Sequence, residues 1–165
     1  MRRDNGFLIF AKGFGFMIFG NILGGILKHI EEITYFLNST DNSYNRLGAS
    51  KAPEYISWGK ENRSQLIRIP AAEGEYRRAE LRSPDPAANP YIAFALLIRA
   101  ALYGMEHNRE IPKPVDINVY KANEENVRHL NKLPENLEEA RLAAQNDDFI
   151  KKYIPKAILD IYCAG

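Results

Sequence analysis

Arg78-Ala79-Glu80-Leu81-Arg82, followed directly by Ser83-Pro84-Asp85-Pro86-Ala87-Ala88-Asn89-Pro90-Tyr91, is the stretch on which the fold turns. Alternate residues of a strand share a face, so Arg78, Glu80 and Arg82 line one side and Ala79 and Leu81 the other. Pro84 ends the strand. Asn89 then supplies a capping side chain and Pro90 a first helical residue, which starts a helix at Tyr91. Its run to Met105 is apolar nearly all round, with Arg99 as its one charge before Glu106, and this predicts a buried helix.

Working outward, Tyr55-Ile56-Ser57-Trp58 and Leu66-Ile67-Arg68-Ile69 are two more short β-type runs bounded by turn formers. Adjacent antiparallel strands are expected. Ile22, Leu23, Ile26, Leu27, Ile30 and Ile33 recur at three and four and predict a helix to Phe36, with Lys28, His29, Glu31 and Glu32 on its rim. Residues 38–52 are rich in Asn, Ser, Thr and Gly and read as a surface loop of functional type. Downstream, Leu133-Pro134 opens a helix with a weak stripe of Leu137, Ala140, Leu142 and Ala144. A short helix begins near Asp147 or Asp148, and Pro155 restarts the chain before Ile158, Leu159 and Ile161. The fold class is therefore α+β, a small antiparallel sheet packed against helices. One edge of that sheet is expected to be unpaired or capped by another copy.

The 165 residues carry 45% hydrophobic and 26% charged side chains, enough for one domain with a real core. A net charge of +1 gives no basic field for nucleic acid or an anionic membrane. Cys163 is the one cysteine, which excludes an internal disulfide framework and a cysteine zinc cluster and suits a reducing cytoplasm. The atypical apolar segment 1–21 resembles a signal peptide at first sight, with Arg2-Arg3 before Phe7-Leu8-Ile9-Phe10. Lys12, Asn21 and several glycines interrupt it and no small-x-small cleavage site follows, so neither secretion nor membrane insertion is expected. The Gly20/Gly24 spacing is read as close helix packing.

Two arginines flanking a carboxylate suit phosphate chemistry. A guanidinium fork donates paired hydrogen bonds to phosphate or carboxylate oxygens, and the glutamate could hold a divalent metal bridging the same oxygens. A solvated cross-strand ladder of ion pairs has the same spacing, and spacing alone leaves both readings open. Arg63 and Arg68 add cations just upstream. His29, His107 and His129 lack spaced partners and read as structural.

Asn42-Ser43-Tyr44-Asn45-Arg46-Leu47, then Asn62-Arg63-Ser64 to Arg68-Ile69-Pro70, then Glu80 to Tyr91 form three ordered motifs. Together they resemble glutamine synthetase signatures, from about Ile22 through Met105 and more weakly to the C-terminus. The resemblance implies part of that family's C-terminal, guanido-kinase-like catalytic domain over residues 22–165. It implies ATP-dependent ligation of ammonia to glutamate through a γ-glutamyl phosphate, with Mg2+ or Mn2+. By the same resemblance Arg46, Arg63 and Arg82 bind glutamate, and Arg63 also lies near the transferred phosphate as a catalytic residue. Arg63, Arg68 and Arg78 contact the nucleotide phosphates, and Glu80 is a metal ligand.

Two departures stand out. The family has a glutamate before Ala-Pro in a flap that helps deprotonate ammonium, and here that position is Lys51, which repels a cation. Glu54 is close in sequence but is not expected to replace it. The family's other metal-binding glutamates, its metal-binding histidine and its N-terminal β domain have no counterpart in these residues. Family enzymes also build each active site between neighbouring subunits. The isolated chain is accordingly expected to be inactive and to self-associate as a homo-oligomer; the alternative is a non-catalytic binding or assembly module of the same fold.

Overall fold

The structure is a computed structural model that describes residues 7–10, 16–49, 52–72, 76 and 78–164. Helix α1 spans Phe16–Leu37 and carries the core stripe Leu23, Ile26, Ile30 and Ile33, each at most 1% exposed. It starts earlier than the periodicity from Ile22 suggests. His29, expected on the rim, is buried instead. Its ring stacks on Phe149 at 4.0 Å and meets the edge of Tyr103, because the C-terminal helices cover that side of α1.

Strands β1 (Phe7–Phe10), β2 (Trp58–Lys60), β3 (Ile67–Ile69) and β4 (Arg78–Leu81) form one sheet in the order β1-β4-β3-β2. The arginine strand is thus interior to the sheet. β3 and β4 are antiparallel as expected, with Arg68 opposite Glu80 and Ile67 opposite Leu81. β2 and β3 are parallel, which corrects the all-antiparallel expectation. The connection 61–66 doubles back rather than forming a hairpin. It does so through Glu61, whose φ is +56°, and through Asn62, whose side-chain oxygen accepts from the backbone and hydroxyl of Ser64. Tyr55 and Ile56, expected within β2, pair instead with the 131–132 segment. β1 comes from the apolar N-terminal run and pairs antiparallel with β4 on the side away from β3.

Helix α3 (Pro90–Glu106) is capped by the Asn89 side chain, which accepts from the Tyr91 amide at 3.0 Å. It was expected to be buried all round; only the face carrying Ala93, Leu96, Leu97, Ala100 and Gly104 is. Tyr91, Phe94 and Ile98 are exposed. Short helices α2 (Asp41–Tyr44) and α4 (Glu124–Val127) interrupt the polar loops, and α5 (Leu137–Asn146), α6 (Asp148–Tyr153) and α7 (Lys156–Cys163) close the chain. Asn136 and Asp147 cap α5 and α6, while Pro155 starts α7 as its composition predicts. Among the described residues no helix is long and apolar enough to cross a membrane.

Packing of α1 on α3 depends on missing side chains. A Cβ on Gly104 would overlap the Asn21 carbonyl oxygen, and one on Gly25 would overlap the Ala100 carbonyl. Of the Gly20/Gly24 pair expected to pack closely, Gly24 does, since a Cβ there would lie 2.5 Å from the Arg109 carbonyl oxygen, whereas Gly20 has only Ile111 Cγ2 within reach, at 3.6 Å. Alanine at Gly20 should therefore gain the helix-propensity difference, up to about 1 kcal/mol. Gly104→Ala should lose about 1–3 kcal/mol to overlap despite the same propensity gain. Urea unfolding of the two variants beside the parent checks the opposite signs.

Candidate active site

β4 presents Arg78 and Glu80 on one face, while Ala79 and Leu81 are fully buried on the other. Arg68 stands directly across from Glu80 on β3 and its Nη1 donates to Glu80 Oε2 at 2.8 Å. Arg78 Nε lies 3.7 Å from the other carboxylate oxygen, so two guanidiniums straddle one carboxylate. The pairing is a cross-strand ladder in form, but the Arg68 and Glu80 side chains are only 19% and 18% exposed. Such a half-buried pair differs from the solvated ladder that is one reading of the sequence, because less water screens it.

A second corner forms where the loop after β4 meets the end of α1. Asp85 N donates to the Leu37 carbonyl at 2.8 Å, which draws residues 83–88 against α1. Arg46, in the turn after α2, donates to the Ser83 carbonyl and, at 3.2 Å, to the oxygen of buried Asn38. Its Nε is 3.7 Å from Asp85 Oδ2. Burial lowers the Arg46 pKa, and Asp85 opposes that shift.

Arg82 follows β4 directly, and its amide donates to the Leu66 carbonyl at 3.0 Å. Tyr120 joins the two corners: burial raises its pKa, and the positive charges of Arg82 and Arg46 pull it back down. Its hydroxyl is buried without a hydrogen-bond partner among the described residues. Nothing in the sequence singled out Tyr120, which sits in a polar stretch between Pro114 and the short helix α4.

Of the residues proposed from sequence, the structure brings Arg68, Arg78 and Glu80 together by charge pairing, while the charges of Arg46 and Arg82 both act on buried Tyr120. Arg63 is exposed in the 61–66 connection and makes no hydrogen bond or ion pair among the described residues. Lys51 lies outside the described residues. Glu54 is taken up by Lys132 at 3.1 Å, so its carboxylate has a cationic partner already. His29 is held by Glu32 at 2.6 Å and His107 stacks on Tyr103 at 4.1 Å, both in structural settings.

A divalent cation needs several oxygen ligands. Among the described residues no three or more His, Cys, Asp or Glu side chains are placed to hold a metal ion together, and each oxygen of Glu80 faces a guanidinium. By themselves these residues do not fit a metal.

A family model described as "Glutamine synthetase, catalytic domain" matches residues 17–165. The chain belongs to this family. It is similar to the glutamine synthetase of Methanosarcina mazei, at 43% identity over 86% of this chain and 33% of that protein. The Pyrococcus furiosus glutamine synthetase is 45% identical over 83% of this chain and 32% of its own length. The Thermotoga maritima enzyme is 47% identical over 78% and 30%. Among solved structures, "GmaS/ADP complex-Conformation 1" superposes with a TM-score of 0.78 at 30% identity, over 93% of this chain and 36% of that one. "Apo GmaS without ligand" gives 0.75 at 31% identity. The chain thus spans about a third of the length of the glutamine synthetases it matches.

In this glutamine synthetase domain Glu80 already engages Arg68 and Arg78, so an anion that bound both would have to displace it. Glu80→Gln should therefore tighten binding of tripolyphosphate in metal-free buffer severalfold, read by calorimetry. Arg68→Ala leaves a half-buried carboxylate with only its longer contact and should cost about 1–3 kcal/mol in urea unfolding. Tyr44, buried with no hydrogen-bond partner for its hydroxyl among the described residues, has a pKa pushed well above the ordinary value of 10.0 by burial. Since the folded state holds that proton more tightly, the Tyr44 contribution is complete below about pH 10 and declines as pH rises above it. A pH series of unfolding midpoints should show a shallower alkaline decline in Tyr44→Phe.

Proposed function

We propose that these 165 residues carry the arginines with which an ATP-dependent glutamate–ammonia ligase grips the nucleotide phosphates and the glutamate carboxylate. The observation that carries this reading is the convergence of Arg68 and Arg78 on one half-buried carboxylate, with Arg46 held by Ser83, Asn38 and Asp85 at the corner after β4. Membership of the glutamine synthetase catalytic-domain family supports it.

Guanidiniums held at fixed spacing by a sheet stabilise phosphoryl oxygens without reorganising, which is where such catalysis gains most. Arg68 and Arg78 sit on adjacent strands and would receive the phosphate oxygens as Glu80 yields them. Arg46, tied to Ser83 and Asn38, and Arg82 would receive the carboxylate of glutamate. Arg63, exposed and without a partner among the described residues, is available to reach the transferred group from the turn before β3. The Mg2+ or Mn2+ of this chemistry would need oxygen ligands beyond Glu80, supplied by residues other than those described. The reading also places the chain in the cytoplasm as a self-associating protein that forms no glutamine alone.

A second reading, a non-catalytic binding or assembly module, is favoured by Lys51 at the flap position where the resemblance calls for glutamate. Calorimetry with ATP in the presence of Mg2+ separates the two. Saturable binding, weakened about tenfold or more in Arg78→Ala, a loss of about 1.4 kcal/mol, is expected of the ligase remnant. Absence of binding at millimolar ATP would favour the assembly module. Glutamine formation by the pure chain in a coupled assay would overturn the expectation of inactivity.

A further inference from the structure

Arg63 is exposed, yet the residues on either side of it are pinned. Asn62 Nδ2 donates to the Ile117 carbonyl at 2.9 Å, and Gln65 Nε2 donates to the same carbonyl at 3.0 Å. Ser64 stands between them with its hydroxyl used to capacity. It donates to Asn62 Oδ1 at 2.8 Å and accepts from the Val119 amide at 3.0 Å and from Gln65 Nε2 at 3.4 Å. Ser64 is 2% exposed and Gln65 is fully buried, so water does not readily replace these bonds when one is lost.

The other half of this clamp is a strap of residues 112–119 that covers the outer edge of β2. The Trp58 carbonyl accepts from Val115 N at 2.8 Å, and the Trp58 indole donates to the Pro112 carbonyl at 2.6 Å. Gly59 lets the strap lie close, since a Cβ there would come 2.8 Å from the Val115 carbonyl oxygen. The strap is thus fixed to the sheet before it reaches Ile117 and Val119, and the 61–65 turn is fixed to the strap. Bonds within the turn, between Asn62 and Ser64, give it its shape. Bonds to Ile117 and Val119, more than fifty residues downstream, give it its place.

We infer that Ser64 is a positioning residue for Arg63: its hydroxyl locks the 61–65 turn onto the strap, so that the Arg63 side chain leaves the sheet in one fixed direction. This role rests on the proposed function, in which Arg63 reaches the transferred group. A long side chain takes its reach from its rotamers and its direction from its backbone, and a backbone held on both sides spares a ligand the cost of ordering it. Ser64→Ala removes all three bonds of the hydroxyl. Asn62→Ala, at a half-buried position, breaks the same clamp from its outer side and serves if the alanine at 64 fails to fold.

Calorimetry of ATP with Mg2+ on the full chain, in a mutant cycle with Arg63→Ala, reads the effect on the site. Ser64→Ala should weaken binding about fivefold, as the loss of a net hydrogen bond would. The same change should have no further effect once Arg63 is alanine, and should keep its full effect in an Arg78→Ala background. Equal losses in all three backgrounds would make Ser64 a general prop of the fold and overturn the inference, as would unchanged affinity in Ser64→Ala alone. Amide relaxation by NMR gives a readout without ligand. The Arg63 order parameter should fall from about 0.85 toward about 0.6 in Ser64→Ala or Asn62→Ala, with Ile67–Ile69 unchanged. A rigid Arg63 amide in both variants would overturn the inference even where ATP binds. If the parent chain binds no ATP, the ligase reading fails by itself, and the relaxation result decides whether Ser64 positions the turn.

Discussion

The architecture depends on the approach of two helices that have given up side chains to meet. Gly25 and Gly104 let the backbones of α1 and α3 come within contact of one another, with the Asn21 carbonyl seated against Gly104. Once the helices lie that close, the end of α1 reaches the loop after β4, and the Leu37 carbonyl captures the Asp85 amide. The Ser83 carbonyl and Asp85 carboxylate then form the bed in which Arg46 lies. A helix contact remote from the arginine row thus sets where one of its corners falls. This is why small changes inside a close-packed interior are felt at a distance.

Much of this was legible because backbone periodicity and capping are local. The alternation in Arg78–Leu81 placed Glu80 and Arg78 on one face, the Asn89-Pro90 pair started α3, and Asp147 and Pro155 marked α6 and α7. The exposed stripe on α3 and the burial of His29 were not legible. Which side of an apolar helix is covered depends on how the C-terminal helices arrive, and no local pattern encodes that. The parallel pairing of β2 with β3 was hidden for a related reason: a turn of positive φ at Glu61 is a conformational choice that composition does not announce. Tyr120 escaped because its place beside Arg46 and Arg82 is made by chain segments far apart in sequence.

Spacing allowed two meanings for the arginine row, and the geometry shows the ion pairs in a setting less solvated than a surface ladder. Arg68, Arg78 and Glu80 do form ion pairs across strands, yet they form them in a half-buried setting where a carboxylate holds two guanidiniums at fixed spacing. An internal anion of this sort holds the two guanidiniums in place on the sheet. Any anion that bound both guanidiniums would have to contact them better than Glu80 does.

Trp58 is the only tryptophan in the chain, and it lies buried in β2 with its indole hydrogen-bonded to Pro112. Indole fluorescence therefore reports on the sheet and its covered edge alone, whereas far-ultraviolet circular dichroism is dominated by α1, α3 and the C-terminal helices. The two optical signals view different halves of the same molecule. Coincident melting would mean that the arginine row and its helical support unfold as one cooperative unit, and separated transitions would mean that the sheet can open while the helices stand.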